Sequence, residues 1–87
     1  MVVLIADRDC VAIFHSIHRV MKAEKILKGE RLEILLIPVP RQLSADCGMA
    51  IRFSAELLEP VRKALQKSGL QIAELWQLKS GEYRQLL

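Results

Sequence analysis

Cys10–Val39 reads CVAIFHSIHRVMKAEKILKGERLEILLIPV, and the change of apolar period along it decides the fold. Cys10 to Ser16 is a short run with β-branched and aromatic residues, which predicts a strand. Ser16 is placed to cap a helix from Ile17 to about Lys28. Val20, Ala23 and Leu27 recur at helical spacing and form its inner stripe, with Met21 and Ile26 beside it. Glu24 and Lys28 make a favourable i,i+4 pair outside. Gly29 is the expected stop. Leu32 to Val39 then reads as a second strand. It is almost continuously apolar, which predicts burial on both faces or an edge covered by a partner. Pro38 and Pro40 end it, because proline cannot donate to a ladder.

Downstream, Pro40–Gly48 (PRQLSADCG) is polar and turn-rich, and Met49–Phe53 is a third strand. Ser54 is placed to cap a second helix running to about Ser68, with Leu57, Leu58, Val61, Ala64 and Leu65 inward. Pro60 moves its start toward Glu56 or Leu57, where a missing N–H in the first turn matters less. Gly69 stops it, and Gln71–Leu78 is a fourth strand. Lys79–Leu87 is expected as a tail, mobile or docked on a partner. The order β-α-β-β-α-β has one compact solution, an α+β, ferredoxin-like sandwich. It has a four-stranded antiparallel sheet in order 4-1-3-2 with both helices on one face. Val2–Ile5 is a candidate extra N-terminal strand.

The chain has 87 residues, which predicts a single domain, with its core about residues 10–78 and a tail at 79–87. A domain this small buries about 60–65% of its unfolded surface and leaves little room for a deep substrate cavity. Thirteen basic and ten acidic residues give a formal charge of +3, and Phe, Trp and Tyr number two, one and one. The clustered cations and stacking aromatics of a nucleic-acid binder are missing, so no nucleic-acid partner is expected. The opening Met1–Ala6 run has no basic residue before it and is too short for a signal-peptide core, and no run approaches a membrane span. A cytoplasmic protein is therefore expected, with Cys10 and Cys47 as thiols. They form no C-x-x-C pair, so a paired-thiol redox motif or zinc ribbon is not expected.

The topology gives Cys47 a particular address. Strand 1 ends where helix 1 starts. Strand 2, parallel to strand 1, ends at the same rim, so the loop carrying Cys47 belongs there too. Strand 3 neighbours strand 1, which predicts Cys47 and Gly48 close to Phe14, His15 and Ser16, with His18 and Arg19 nearby. A helix N-terminus and neighbouring cations both favour a thiolate. Lowering the thiol pKa by about two units corresponds to about 2.7 kcal/mol of differential interaction. Gly48 leaves the approach to the sulfur open to a bulky donor. Asp46, which can brace the loop through backbone N–H groups, opposes thiolate formation. Arg41 can attract an anionic chalcogen species, or hold Asp46. Cys10 precedes an apolar strand and reads as a small core residue. Trp76 reads as core or interface.

Four segments together resemble a known family. They are Phe14-His15-Ser16-Ile17-His18, Ala23-Glu24-Lys25-Ile26-Leu27-Lys28, Leu36-Ile37-Pro38-Val39-Pro40-Arg41, and Ser44-Ala45-Asp46-Cys47-Gly48-Met49-Ala50-Ile51-Arg52-Phe53. The chain from about Val11 to Leu78 is similar to the selenium/sulfur carrier-like proteins. The resemblance implies a carrier or accessory protein more than a stand-alone enzyme. Its cysteine, here Cys47, would hold a persulfide or selenide and pass it on. It implies donor and acceptor proteins as partners and no cofactor. The Met1–Asp9 start departs from that pattern.

Two other functions remain open at this level. One is a small ferredoxin-like binding or regulatory module without chemistry, since such sandwiches host many functions. The other is metal delivery by Cys47 with His15 or His18, although the spacing is not diagnostic. Strands 2 and 4 are the expected sheet edges. The apolar edge of strand 2 predicts a homodimer or a docked partner.

Overall fold

A computed structural model describes residues 5–43 and 48–87. The elements are β1 (Cys10–Ile13), α1 (Ile17–Gly29), β2 (Leu35–Pro38), β3 (Met49–Phe53), α2 (Leu58–Lys67), β4 (Glu74–Lys79) and β5 (Glu82–Gln85), with a 3-10 turn at Ala55–Leu57 leading into α2. They form an α+β, ferredoxin-like arrangement. The sheet is antiparallel throughout, in the order β2-β3-β1-β4-β5. No helix among the described residues is long and apolar enough to cross a membrane.

Ser16 caps α1 as expected, its Oγ accepting from the Arg19 N–H at 3.3 Å. The buried stripe of α1 is Val20, Ala23 and Leu27. Gly29 is the last helical residue, not the left-handed one. That conformation falls to Arg31 (φ 62), which lets Leu32 N–H return to the Leu27 carbonyl at 3.0 Å. Gly69 (φ 72) closes α2 in the same way, with Leu70 N–H on the Leu65 carbonyl at 3.0 Å. Pro60 lies in the first turn of α2. Ser54 makes no side-chain cap, because the 3-10 turn intervenes.

β1 is buried on both faces. Its Cys10 and Ala12 side, with Phe14 just beyond the strand, joins Val20, Ala23, Leu27, Val61 and Leu65 between sheet and helices. Its Val11 and Ile13 side joins Ile37 and Ala50, and Ile5, Val39, Leu43, Trp76 and Tyr83 pack against them. The face opposite the helices is therefore covered as well. This explains the unbroken apolarity of β2: Leu36 packs on the helix-side core and Ile37 lies in the other cluster.

The expected tail over Lys79–Leu87 is instead largely strand. Ser80 (φ 52) and Gly81 (φ 81) make a two-residue turn with both residues left-handed, which matches the twist of a tight hairpin. The fifth strand is thus C-terminal, and β4 is interior, not an edge. Of the candidate N-terminal strand, Val2–Leu4 lie outside the described residues, and Ile5 is not in a strand.

Candidate functional site

One rim of the sheet brings His15, Ser16, His18 and Arg19 to the two ends of the β2–β3 connection, where Arg41 and Gly48 stand. Ile13, the last residue of β1, pairs with Ala50 near the start of β3 and with Glu74 at the start of β4. Pro38 at the end of β2 pairs with Met49. The N-terminus of α1 begins at the same rim, one cap residue after His15. The shared rim expected from the β-α-β-β-α-β order is therefore present.

The loop between β2 and β3 has a fixed base. Val39 N–H donates to the Gly48 carbonyl at 2.9 Å. Gly48 is exposed, and a Cβ there would meet Val39 Cγ2 at 3.6 Å, an ordinary contact. The fold does not require glycine at that position. Leu43 N–H closes a turn on the Pro40 carbonyl at 2.9 Å, which leaves Arg41 exposed. Asp46 and Cys47 lie outside the described residues, as does any pairing of Asp46 with Arg41.

His15 is exposed and takes a left-handed backbone conformation (φ 56). Its Nε2 meets Glu74 Oε2. The other oxygen, Glu74 Oε1, accepts from Trp76 Nε1–H at 2.9 Å. Glu74 and Trp76 are two apart on β4 and so share a face, while Leu75 between them enters the helix-side core. Trp76 packs against the same buried cluster as Val39 and Leu43 of the β2–β3 connection. His18 and Arg19 are exposed in the first turn of α1, which contains no acidic residue.

Glu74 was not legible as a site residue, and Trp76 was legible only as packing. Part of the signal was the topology itself. The order 4-1-3-2 puts the start of the last strand beside the end of β1, and the register that sets Glu74 opposite Ile13, within reach of His15, is seen only in the structure. Among the described residues, no three His, Cys, Asp or Glu are grouped to hold a metal ion, and the metal-delivery set of Cys47 with His15 or His18 includes a residue outside them.

Cys10 has no solvent exposure and lies between Phe53 and Gln77 in the ladder. Burial, and then the negative charge of Asp9, push its thiol above the ordinary cysteine range. Asp9 is itself buried. Its Oδ2 accepts from Arg52 Nη1 at 2.9 Å and from Ala6 N–H at 2.9 Å, which ties the N-terminal segment to β3.

A family model described as "Putative Se/S carrier protein-like" matches residues 9–77, most of the chain. No curated protein and no solved structure matches it.

Proposed function

The chain belongs to the Se/S carrier protein-like family, and we propose that it carries one sulfur or selenium atom on Cys47 between a donor and an acceptor protein. The observation that carries this reading is the burial of Cys10. The sequence has two cysteines, and Cys10 is sealed in the core with its thiol held protonated. A carrier sulfur must be reached by another sulfur or selenium centre and must ionise to react. Cys10 meets neither requirement, which leaves Cys47. Its neighbour Gly48 is exposed, at the rim where α1 begins.

The step is an exchange that needs no external oxidant. The Cys47 thiolate attacks the outer sulfur of a donor persulfide, R–S–SH. The donor S–S bond breaks, R–S⁻ leaves, and Cys47–S–SH forms. The sulfane sulfur keeps its oxidation state, and an acceptor thiolate repeats the step to regenerate Cys47. With R–S–SeH the same exchange moves selenium. A free thiol of this kind belongs in a reducing compartment such as the cytoplasm.

Sulfur uptake from glutathione persulfide, followed by intact mass, tests the reading. The wild-type chain and Cys10→Ala are expected to gain one sulfur atom and return it to an added thiol. Cys47→Ser is expected to keep the fold and gain none. An adduct retained by Cys47→Ser contradicts the assignment. Gly48→Ala has room for its Cβ, so its stability should stay within about 0.5 kcal/mol of wild type. A slower transfer from a protein donor, with the small-donor rate unchanged, is the expected signature of an approach path.

The same reading includes a homodimer or docked partner at the β2 edge, where Leu35 is exposed. Sedimentation should show wild type associating and Leu35→Lys monomeric. A wild-type monomer at tens of micromolar contradicts the homodimer.

A further inference from the structure

The Lys and Arg residues are scattered along the sequence, and the fold gathers many of them on one side. α1 carries Arg19, Lys22, Lys25 and Lys28 against Glu24 alone. α2 carries Arg62, Lys63 and Lys67 against Glu59. Of the formal +3 of the chain, the two helices therefore hold +5 and the remaining residues −2. Both helices pack on the same core cluster, so the excess lies on one layer of the molecule.

One patch of that layer is apolar as well as basic. Ile17 and Met21 are 57% and 46% exposed and stand one turn apart on α1. The helix is already anchored by Val20, Ala23 and Leu27, so packing within the fold does not account for them. Lys25 is exposed one turn beyond Met21, and the exposed Lys22 and His18 run alongside. The single acid of α1, Glu24, is taken by Lys28 at 3.2 Å. Among the described residues, Lys22 and Lys25 make no ion pair. A solvated helix face ordinarily mixes both signs and carries few large apolar groups. A face of one sign with apolar residues set in it complements an acidic surface that brings an apolar group of its own. Single-stranded nucleic acid would call for stacking aromatics, and neither helix has one. A membrane surface would call for a broad apolar face, and that of α1 is turned to the core.

We propose that Ile17, Met21, Lys22 and Lys25 form a docking face for an acidic segment of a partner protein. An apolar side chain of the partner rests on Ile17 and Met21, and its carboxylates meet Lys22 and Lys25. The patch contains no residue of the β2–β3 connection, so it stands or falls apart from the carrier chemistry.

The test is fluorescence anisotropy of the full chain with a dye-labelled peptide of glutamate, leucine and alanine, about four turns long and apolar on one face. Wild type is expected to bind it, and to bind more weakly as salt is raised. Lys22→Glu/Lys25→Glu should weaken binding by about tenfold or more, and Lys22→Gln/Lys25→Gln by less. Ile17→Gln/Met21→Gln should weaken it by about three- to tenfold. Glutamine suits an exposed helix position, and circular dichroism checks each fold. Lys79→Glu/Arg84→Glu, the same charge change on the β4–β5 hairpin, should stay within about twofold of wild type. A wild-type chain that ignores the peptide overturns the proposal. So does an equal loss in the hairpin variant, or no loss in Ile17→Gln/Met21→Gln, since either would reduce the effect to net charge. Tighter binding to phosphatidylserine vesicles or to single-stranded RNA than to the peptide overturns it as well.

Discussion

Cys10 lies between Phe53 and Gln77 in the sheet, and its thiol keeps its proton beyond the ordinary range because burial and Asp9 both disfavour the anion. In the unfolded chain the same thiol ionises near pH 8.5. Above that value the unfolded state holds fewer protons than the fold, so stability falls as pH rises, by up to about 1.4 kcal/mol per pH unit. Below it the group adds no slope. Burial pushes the Tyr83 hydroxyl up as well, which adds a second decline beginning near pH 10. Thermal unfolding across this range should therefore show a midpoint that drops above about pH 8.5. Cys10→Ala should flatten the first part of that drop and cost about 1 kcal/mol at neutral pH. An unchanged slope in Cys10→Ala would assign the decline to other groups. The core role of Cys10 was legible from the apolar run that follows it. The hydrogen-bonded pairing of His15 with Glu74 was not, because it joins residues far apart in sequence and depends on rotamers that no local pattern encodes.

Among the elements, the helices were the most legible, since Val20, Ala23 and Leu27, and then Val61 and Leu65, repeat at the helical period and are the residues buried. β5 was missed although its signal is present. Ser80-Gly81 is a turn dipeptide between two strand-like segments, but Glu82–Gln85 carries a single apolar residue, and an edge strand with polar faces leaves little periodicity to read. Gly81→Val tests that turn. At φ 81 a branched side chain is strained, and about 1–2 kcal/mol of stability should be lost, with the loss confined to the β4–β5 hairpin in hydrogen exchange. Asp9 and Arg52 join the N-terminal segment to β3 in a pair whose Asp9 side is the more deeply buried. Arg52 Nε is also buried with no partner among the described residues, so the pair is costly to half-remove. Asp9→Ala should lose about 3 kcal/mol, and adding Arg52→Met should restore part of it. A double variant no more stable than Asp9→Ala would show that Arg52 contributes packing alone.

At the scale of the molecule, the segments on either side of the family match over residues 9–77 are tied to each other and to its last residue. Arg8 N–H donates to the Leu78 carbonyl at 2.6 Å, Ser80 N–H donates to Asp7 Oδ1 at 2.8 Å, and Gln77 Nε2 donates to the Arg8 carbonyl at 3.0 Å. Ile5 and Tyr83 from those segments cover the sheet face opposite the helices. The 4-1-3-2 order was legible because β-α-β-β-α-β has one compact solution, and that order alone assembles the rim. The cover on the second face was not, since nothing in Ile5–Asp9 marks where so short a segment docks. In the proposed carrier, the chalcogen rides on Cys47 and on no other residue. Trypsin separates the two cysteines, leaving Cys10 in Asp9–Arg19 and Cys47 in Gln42–Arg52. Mass spectrometry of that digest, taken after exposure of the folded chain to glutathione persulfide and alkylation, is the most direct measurement. One added sulfur is expected on Gln42–Arg52, with Cys10 unmodified in Asp9–Arg19. An unmodified Gln42–Arg52 peptide, or an adduct on Asp9–Arg19, would contradict the proposed carrier.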